Sequence, residues 1–125
     1  MRSTVIRIEI NKPFLGVYET LKKRIVEEGF LLLHEINTQK IVAGHGVNIP
    51  ALRQLLFFEP KYIEQIMKSD TLAINDIPMK LVLLDMENGK TDVSFQNPTG
   101  SLKDYNLDTE MLEELLSRIN NIMDF

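Results

Sequence analysis

The stretch Leu81 to Gln96, LVLLDMENGKTDVSFQ, carries the sharpest polarity pattern in the chain, with apolar and polar residues alternating on the two sides of Asn88-Gly89. A period of two marks a strand with one buried face. Asn-Gly is the strongest short-range signal for a two-residue hairpin turn, because both residues accept the positive φ angles that such a turn requires. Pairing outward from a two-residue turn sets Glu87 opposite Lys90, Met86 opposite Thr91, Asp85 opposite Asp92, Leu84 opposite Val93 and Val82 opposite Phe95. The face expected on the core then carries Val82, Leu84, Val93 and Phe95, and the other face carries charge.

The same periodicities place the remaining elements. Thr4 to Ile10 alternates as a half-buried strand with Ile6, Ile8 and Ile10 on one side. Pro13 suits the start of a helix, and Phe14, Val17, Tyr18, Leu21 and Ile25 recur at helical spacing down to Gly29, a residue suited to a left-handed helix end. Phe30 to Ile36 and Leu52 to Phe58 read as the second and third strands, joined through the flexible Ala43 to Val47. Pro60 opens a short helix bearing Tyr62, Ile63, Ile66 and Met67, which stops before Asp70. Thr71 to Pro78 fits neither period, and Asn97 to Ser101 has the composition of a loop. Asp108 caps a last helix that aligns Met111, Leu112, Leu115, Ile119, Ile122 and Met123. The order β-α-β-β-α-β-β-α predicts a single α+β domain over residues 1–125: a two-layer sandwich, mostly antiparallel, with helices on one face of the sheet.

Strands two and three break the alternation. Phe30, Leu32 and Ile36 oppose Leu31 and Leu33, and Leu56 and Phe58 oppose Leu55 and Phe57, so both faces are apolar. In a sheet covered on one side, Leu31, Leu33, Leu55 and Phe57 form an exposed patch of a size that marks an interface or a ligand groove. A homodimer through this face, or a ligand or the second helix seated on it, is expected. The alternative is that residues 71–78, with Leu72, Ala73, Ile74 and Ile77, fold back as a cover.

Composition narrows the partners. The chain has 125 residues, no cysteine and a formal net charge of -4. Disulfides, thiolate metal sites and cysteine nucleophiles are excluded, and nothing marks an oxidising compartment. The acidic balance offers no footprint for nucleic acid or an anionic membrane. Lys22-Lys23-Arg24 falls near a helix end, where cations complement the dipole. The opening MRSTVIRIEI lacks the apolar core of a signal peptide, and no long apolar run follows, so a cytoplasmic protein is expected.

Candidate chemistry is sparse. His34 shares a strand side with Leu32 and Ile36 and is expected to be buried. His45 lies between Gly44 and Gly46, where backbone can approach a ligand closely. Asp85 and Asp92 form a carboxylate pair in the two-residue-turn register, most simply solvated charges softened by Lys90. Glu59 suits capping of the helix that Pro60 opens. Ser3, Ser69, Ser94, Ser101 and Ser117 lie in no G-x-S-x-G context, and the histidines show no metal-ligand spacing. No metal and no cofactor are expected.

The segment FFEPKYIEQIMKSDTLAINDIPMKLVLLDMENGKTDVSF has a strand running into a Pro-initiated helix, an Ile77-Pro78 step, and then a valine-leucine strand and hairpin. With Gly29-Phe30 and Glu35-Ile36-Asn37 upstream in order, residues 4 to 96 resemble the domain of unknown function 302 family. The resemblance implies a β-α-β(4)-α core with a TATA-binding-protein-like outline and a dimer, and it implies no activity. Family members commonly carry Asn-Pro at the second helix start, often preceded by cysteine, and another cysteine after the later proline. Here these places read Glu59-Pro60 and Pro78-Met79, so thiol chemistry is ruled out. The leading expectation is a homodimeric, non-enzymatic module binding a small molecule or a protein through Leu31, Leu33, Leu55, Phe57, Glu59 and His45. The alternative is a small enzyme pairing His45 with Glu59, Asp85 or Asp92.

Overall fold

The computed structural model describes residues 4–125, so Ser3 and the first residues of the N-terminal segment lie outside it. The elements run β1 (Val5–Ile10), α1 (Phe14–Glu27), β2 (Leu31–Asn37), α2 (Thr38–Ala43), β3 (Leu52–Phe58) and α3 (Pro60–Ser69). A 3₁₀ turn (Thr71–Asp76), β4 (Met79–Asp85), β5 (Thr91–Gln96), α4 (Pro98–Ser101) and α5 (Thr109–Ile122) follow. The strands form one antiparallel sheet in the order β1-β5-β4-β3-β2. With the short helices set aside, this is the expected β-α-β(4)-α core.

One face of the sheet carries Ile8, Ile10, Val93, Phe95, Leu81, Leu83, Leu55 and Phe57, against which α1 lays Val17, Leu21 and Ile25 and α5 lays Leu112, Leu115 and Ile119. Gly29 ends α1 at φ 96°, a conformation that favours glycine, and a Cβ there would stand 3.1 Å from Arg118 Nη2 and press on it. Asp108 caps α5 by accepting from Glu110 N–H at 3.0 Å. Arg24 serves another helix than its own, donating to the carbonyls of Ile122 and Asp124 at the end of α5.

The hairpin differs from the two-residue expectation. Met86 N–H donates to Lys90 C=O, leaving a three-residue loop of Glu87, Asn88 and Gly89. Asp85 Oδ1 accepts from Glu87 N–H at 2.8 Å, which supports Glu87 at φ 62°, and Gly89 supplies φ 78°. The extra loop residue slides the register by one: Leu84 pairs with Asp92, Asp85 with Thr91 and Leu83 with Val93. A one-residue slip inverts every side chain of a strand. Met79, Leu81 and Leu83 therefore enter the core in place of Val82 and Leu84, which stay half-buried on the opposite face.

Strand β2 departs in a second way. Leu31 and Leu32 pair with Phe58 and Phe57, then the register shifts and His34 pairs with Leu56, leaving Leu33 as an extra, bulged residue. Beyond the bulge the sides exchange. His34 is exposed rather than buried, and Glu35 pairs with Leu55 on the helix-covered side. Leu55 and Phe57 are fully buried in the core, so the expected patch loses both, while Leu31 and Leu33 remain 52% and 51% exposed.

The observed register makes a direct prediction. Leu83→Ala lowers the unfolding free energy by about 2–5 kcal/mol, whereas Val82→Ala costs less than about 1 kcal/mol. Urea denaturation of both variants checks this, and the reverse ranking would restore the two-residue turn.

Candidate functional site

Leu31 and Leu33, stranded on the uncovered side at the β2 edge, are one wall of a groove. Phe58, Pro60 and Ile63 supply its floor and second wall where β3 runs into α3. Ile74, Ile77 and Pro78, from the 3₁₀ turn and the residues after it, close the third side. The segment 71–78 thus flanks the apolar patch without covering it, and Ile74 is itself 39% exposed. The groove has a volume of about 360 Å³, which falls in the range of small-ligand sites.

Glu59 lies beside the groove wall formed by Pro60, but its carboxylate points into a structural network. Its Oε2 accepts from Lys61 N–H at 3.4 Å, the capping contact expected of it. Its Oε1 meets Arg118 Nη1 at 3.5 Å. Arg118, with a side chain 12% exposed, also donates to Glu28 C=O at 2.7 Å and to Tyr62 Oη at 3.1 Å, and lies 4.0 Å over the Phe30 ring. Tyr62 in turn donates to Glu114. Burial, then the bond to Glu114, pushes the Tyr62 hydroxyl up, and the bond from Tyr62 holds the Glu114 carboxyl down. This cluster ties α3 and α5 to the end of α1.

At the β2 edge on the helix side, Glu35 accepts from Tyr18 Oη and pairs with Lys22 at 3.3 Å, and Arg53 stacks 4.3 Å over the Tyr18 ring. Burial pushes the Glu35 carboxyl up, but the hydrogen bonds from Tyr18 and Lys22 outweigh it and hold the group below its usual range.

The other candidate residues are scattered. His45 is exposed in the connection that precedes β3, whereas Glu59 follows β3, so a seven-residue strand separates them, about 20 Å of extended chain. Asp85 lies at the His45 end of the sheet, with its backbone N–H bonded to Ala51 C=O and its carboxylate engaged by the hairpin turn. Asp92 does not oppose Asp85; it accepts from Arg7 at 2.7 Å and stands across from Glu9, which pairs with Lys90. Among the described residues no group of three or more acidic or histidine side chains is placed to hold a metal ion. Nor is any described helix long and apolar enough to cross a membrane.

Phe58, Pro60, Ile63, Ile74 and Ile77 escaped the sequence reading as site residues. Ile74 and Ile77 were visible only as apolar members of a segment without a period. Arg118 was masked by its place on an amphipathic helix, where a cation usually meets solvent.

A five-stranded antiparallel sheet under two long helices, with an apolar groove at the end where α3 and the 3₁₀ turn meet β2, defines a small two-layer α+β domain. The chain belongs to the family described as Domain of unknown function DUF302, whose model matches residues 6–125. It is similar in fold to the crystal structure of an uncharacterized conserved DUF302 protein from Bacillus stearothermophilus, with a TM-score of 0.81 and 19% identity, covering 98% of this chain and 97% of that one. Comparison with curated proteins gives no match.

The Tyr18–Glu35–Lys22 cluster sets a pH dependence. A carboxyl more acidic in the folded state leaves the unfolded chain binding more protons, so its contribution is present above the ordinary value of 4.5 and lost as pH falls through the folded value. Urea midpoints taken from about pH 6 to about pH 3 fall less steeply for Glu35→Gln than for the wild type. Parallel profiles would show that Glu35 is not held down.

Proposed function

We propose that this chain is a non-enzymatic ligand-binding domain that acts as a homodimer in the cytoplasm, with the Leu31–Leu33–Phe58 groove as its binding site. The observation that carries this reading is the groove itself. Eight apolar residues from three separate parts of the chain converge on it, and Leu31 and Leu33 stay half-exposed although Phe30 and Phe58 beside them are buried. Exposed leucines side by side in a concave site are costly in water unless something occupies them.

Ionisation supports a binding role over catalysis. Glu35 and Glu114 are displaced downward, and Tyr62, Tyr105, Arg7 and Lys22 upward, so each displaced group moves away from neutral pH. General acids and bases are tuned toward the working pH, whereas these shifts belong to ion pairs and hydrogen bonds that hold elements together. The separation of His45 from Glu59 along β3 weighs against one of the acid/base pairs that the sequence suggested.

The homodimer draws support from the hairpin end of the uncovered sheet face, where Leu52, Val82, Leu84 and Ile36 are all half-buried. A second copy laid on this face would remove that apolar area from water. Freedom from cysteine suits a reducing compartment, and the net charge of -4 argues against polyanionic partners.

Two measurements test the proposal. Nile red, a neutral apolar dye, binds saturably with enhanced fluorescence; Leu33→Gln weakens this about tenfold, the scale of losing one well-buried apolar contact, and His45→Ala leaves it unchanged. Sedimentation shows a dimer that Val82→Lys dissociates. No saturable dye binding removes the groove reading, and a strict monomer at high concentration removes the dimer.

A further inference from the structure

The groove does not end in solvent at Ile77 and Pro78. Both residues also line a second cavity of about 550 Å³ on the far side, whose walls include Lys80, Asn75, Asp76, Gln96 and Ser101. The apolar groove and a cavity of mixed lining thus meet at Ile77 and Pro78. The polar groups of the second cavity are unequally committed. Asp76 accepts from the Tyr105 hydroxyl, and Thr4 donates to Gln96 Oε1 at 2.6 Å, so these groups are engaged within the chain. Lys80 is exposed and donates to the neutral amide oxygen of Gln54 at 3.2 Å; among the described residues it has no acidic partner. An ammonium has three donors, so two are left to serve a ligand.

From this juxtaposition we infer that the site takes an amphiphile with an ionised carboxylate head, its hydrocarbon chain in the Leu31–Leu33–Ile63 groove and its head across the Ile77-Pro78 ridge at Lys80. The inference rests on the groove reading above and adds the chemical class of its ligand. Burial of each methylene supplies the affinity, and the single cation supplies orientation and choice of head. Asp76 on the same wall repels a dianionic head more strongly than a monoanionic one, which makes the monoanion the better match for Lys80.

Isothermal titration with decanoate, decanol and decylammonium, each below its micelle concentration, separates the two levels of the argument. Decanoate binds about fivefold more tightly than decanol, the scale of one solvent-accessible ion pair, and decylammonium binds more weakly than either. Lys80→Met removes the advantage of decanoate and leaves decanol binding unchanged. Leu33→Gln weakens decanoate and decanol alike; Leu33 is half-exposed, so the variant is expected to fold. Equal binding of decanoate and decanol, or tightest binding of decylammonium, overturns the carboxylate inference and leaves the apolar groove standing. Binding of none of the three overturns both.

Discussion

Side chains on a strand alternate with a period of two, and in a sheet covered on one face that constraint decides everything else about this domain. Two local irregularities set the parity. The three-residue loop Glu87–Gly89 shifts β4 against β5, sending Leu81 and Leu83 under the helices. The bulge at Leu33 shifts β2 against β3, sending Glu35 toward Tyr18 and His34 away from the core. Neither changes which segments are strands. Both change what each face presents, and so where a ligand or a partner can be held.

The bulge acts beside the groove rather than creating it. Leu31 and Leu33 share the uncovered side by ordinary alternation, and both line the groove with Ile63 and Pro78. As the extra residue, Leu33 has no cross-strand partner on β3. A bulge on an edge strand further discourages pairing with a foreign strand, which a flat apolar edge would invite. One insertion therefore both frees Leu33 from cross-strand pairing at the groove and protects the edge beside it.

The element order, the helix starts at Pro60 and Asp108 and the helix end at Gly29 were legible in the sequence because each depends on residues close in the chain. α2 and α4 were not, since each is a short turn held by one asparagine cap, Asn37 and Asn97, in stretches with a loop composition. Register was lost for a sharper reason. Asn88-Gly89 fits a two-residue and a three-residue loop equally, and the choice falls to the Asp85 side chain and to which face the sheet buries. Leu55 and Phe57 were misplaced because β3, apolar at four successive positions, gives periodicity nothing to distinguish its faces. Arg118 joins Glu28, Glu59 and Tyr62 across most of the chain length, a contact that local pattern cannot contain.

Glu59 shows how a candidate can be both well placed and differently employed. It stands next to the groove because Pro60 is a groove wall, but it is drawn the other way by Arg118, whose guanidinium is nearly buried between the Phe30 ring and the end of α1. A desolvated guanidinium requires an anionic partner nearby, and removing that partner is far more costly than any gain from turning the carboxylate toward a ligand. Glu59 thus meets the capping need of this helix start and neutralises Arg118 as well. The Glu59 carboxylate is thereby consumed by structure, and the apolar walls, with Lys80 beyond the Ile77-Pro78 ridge, are left as the surface on which recognition can rest.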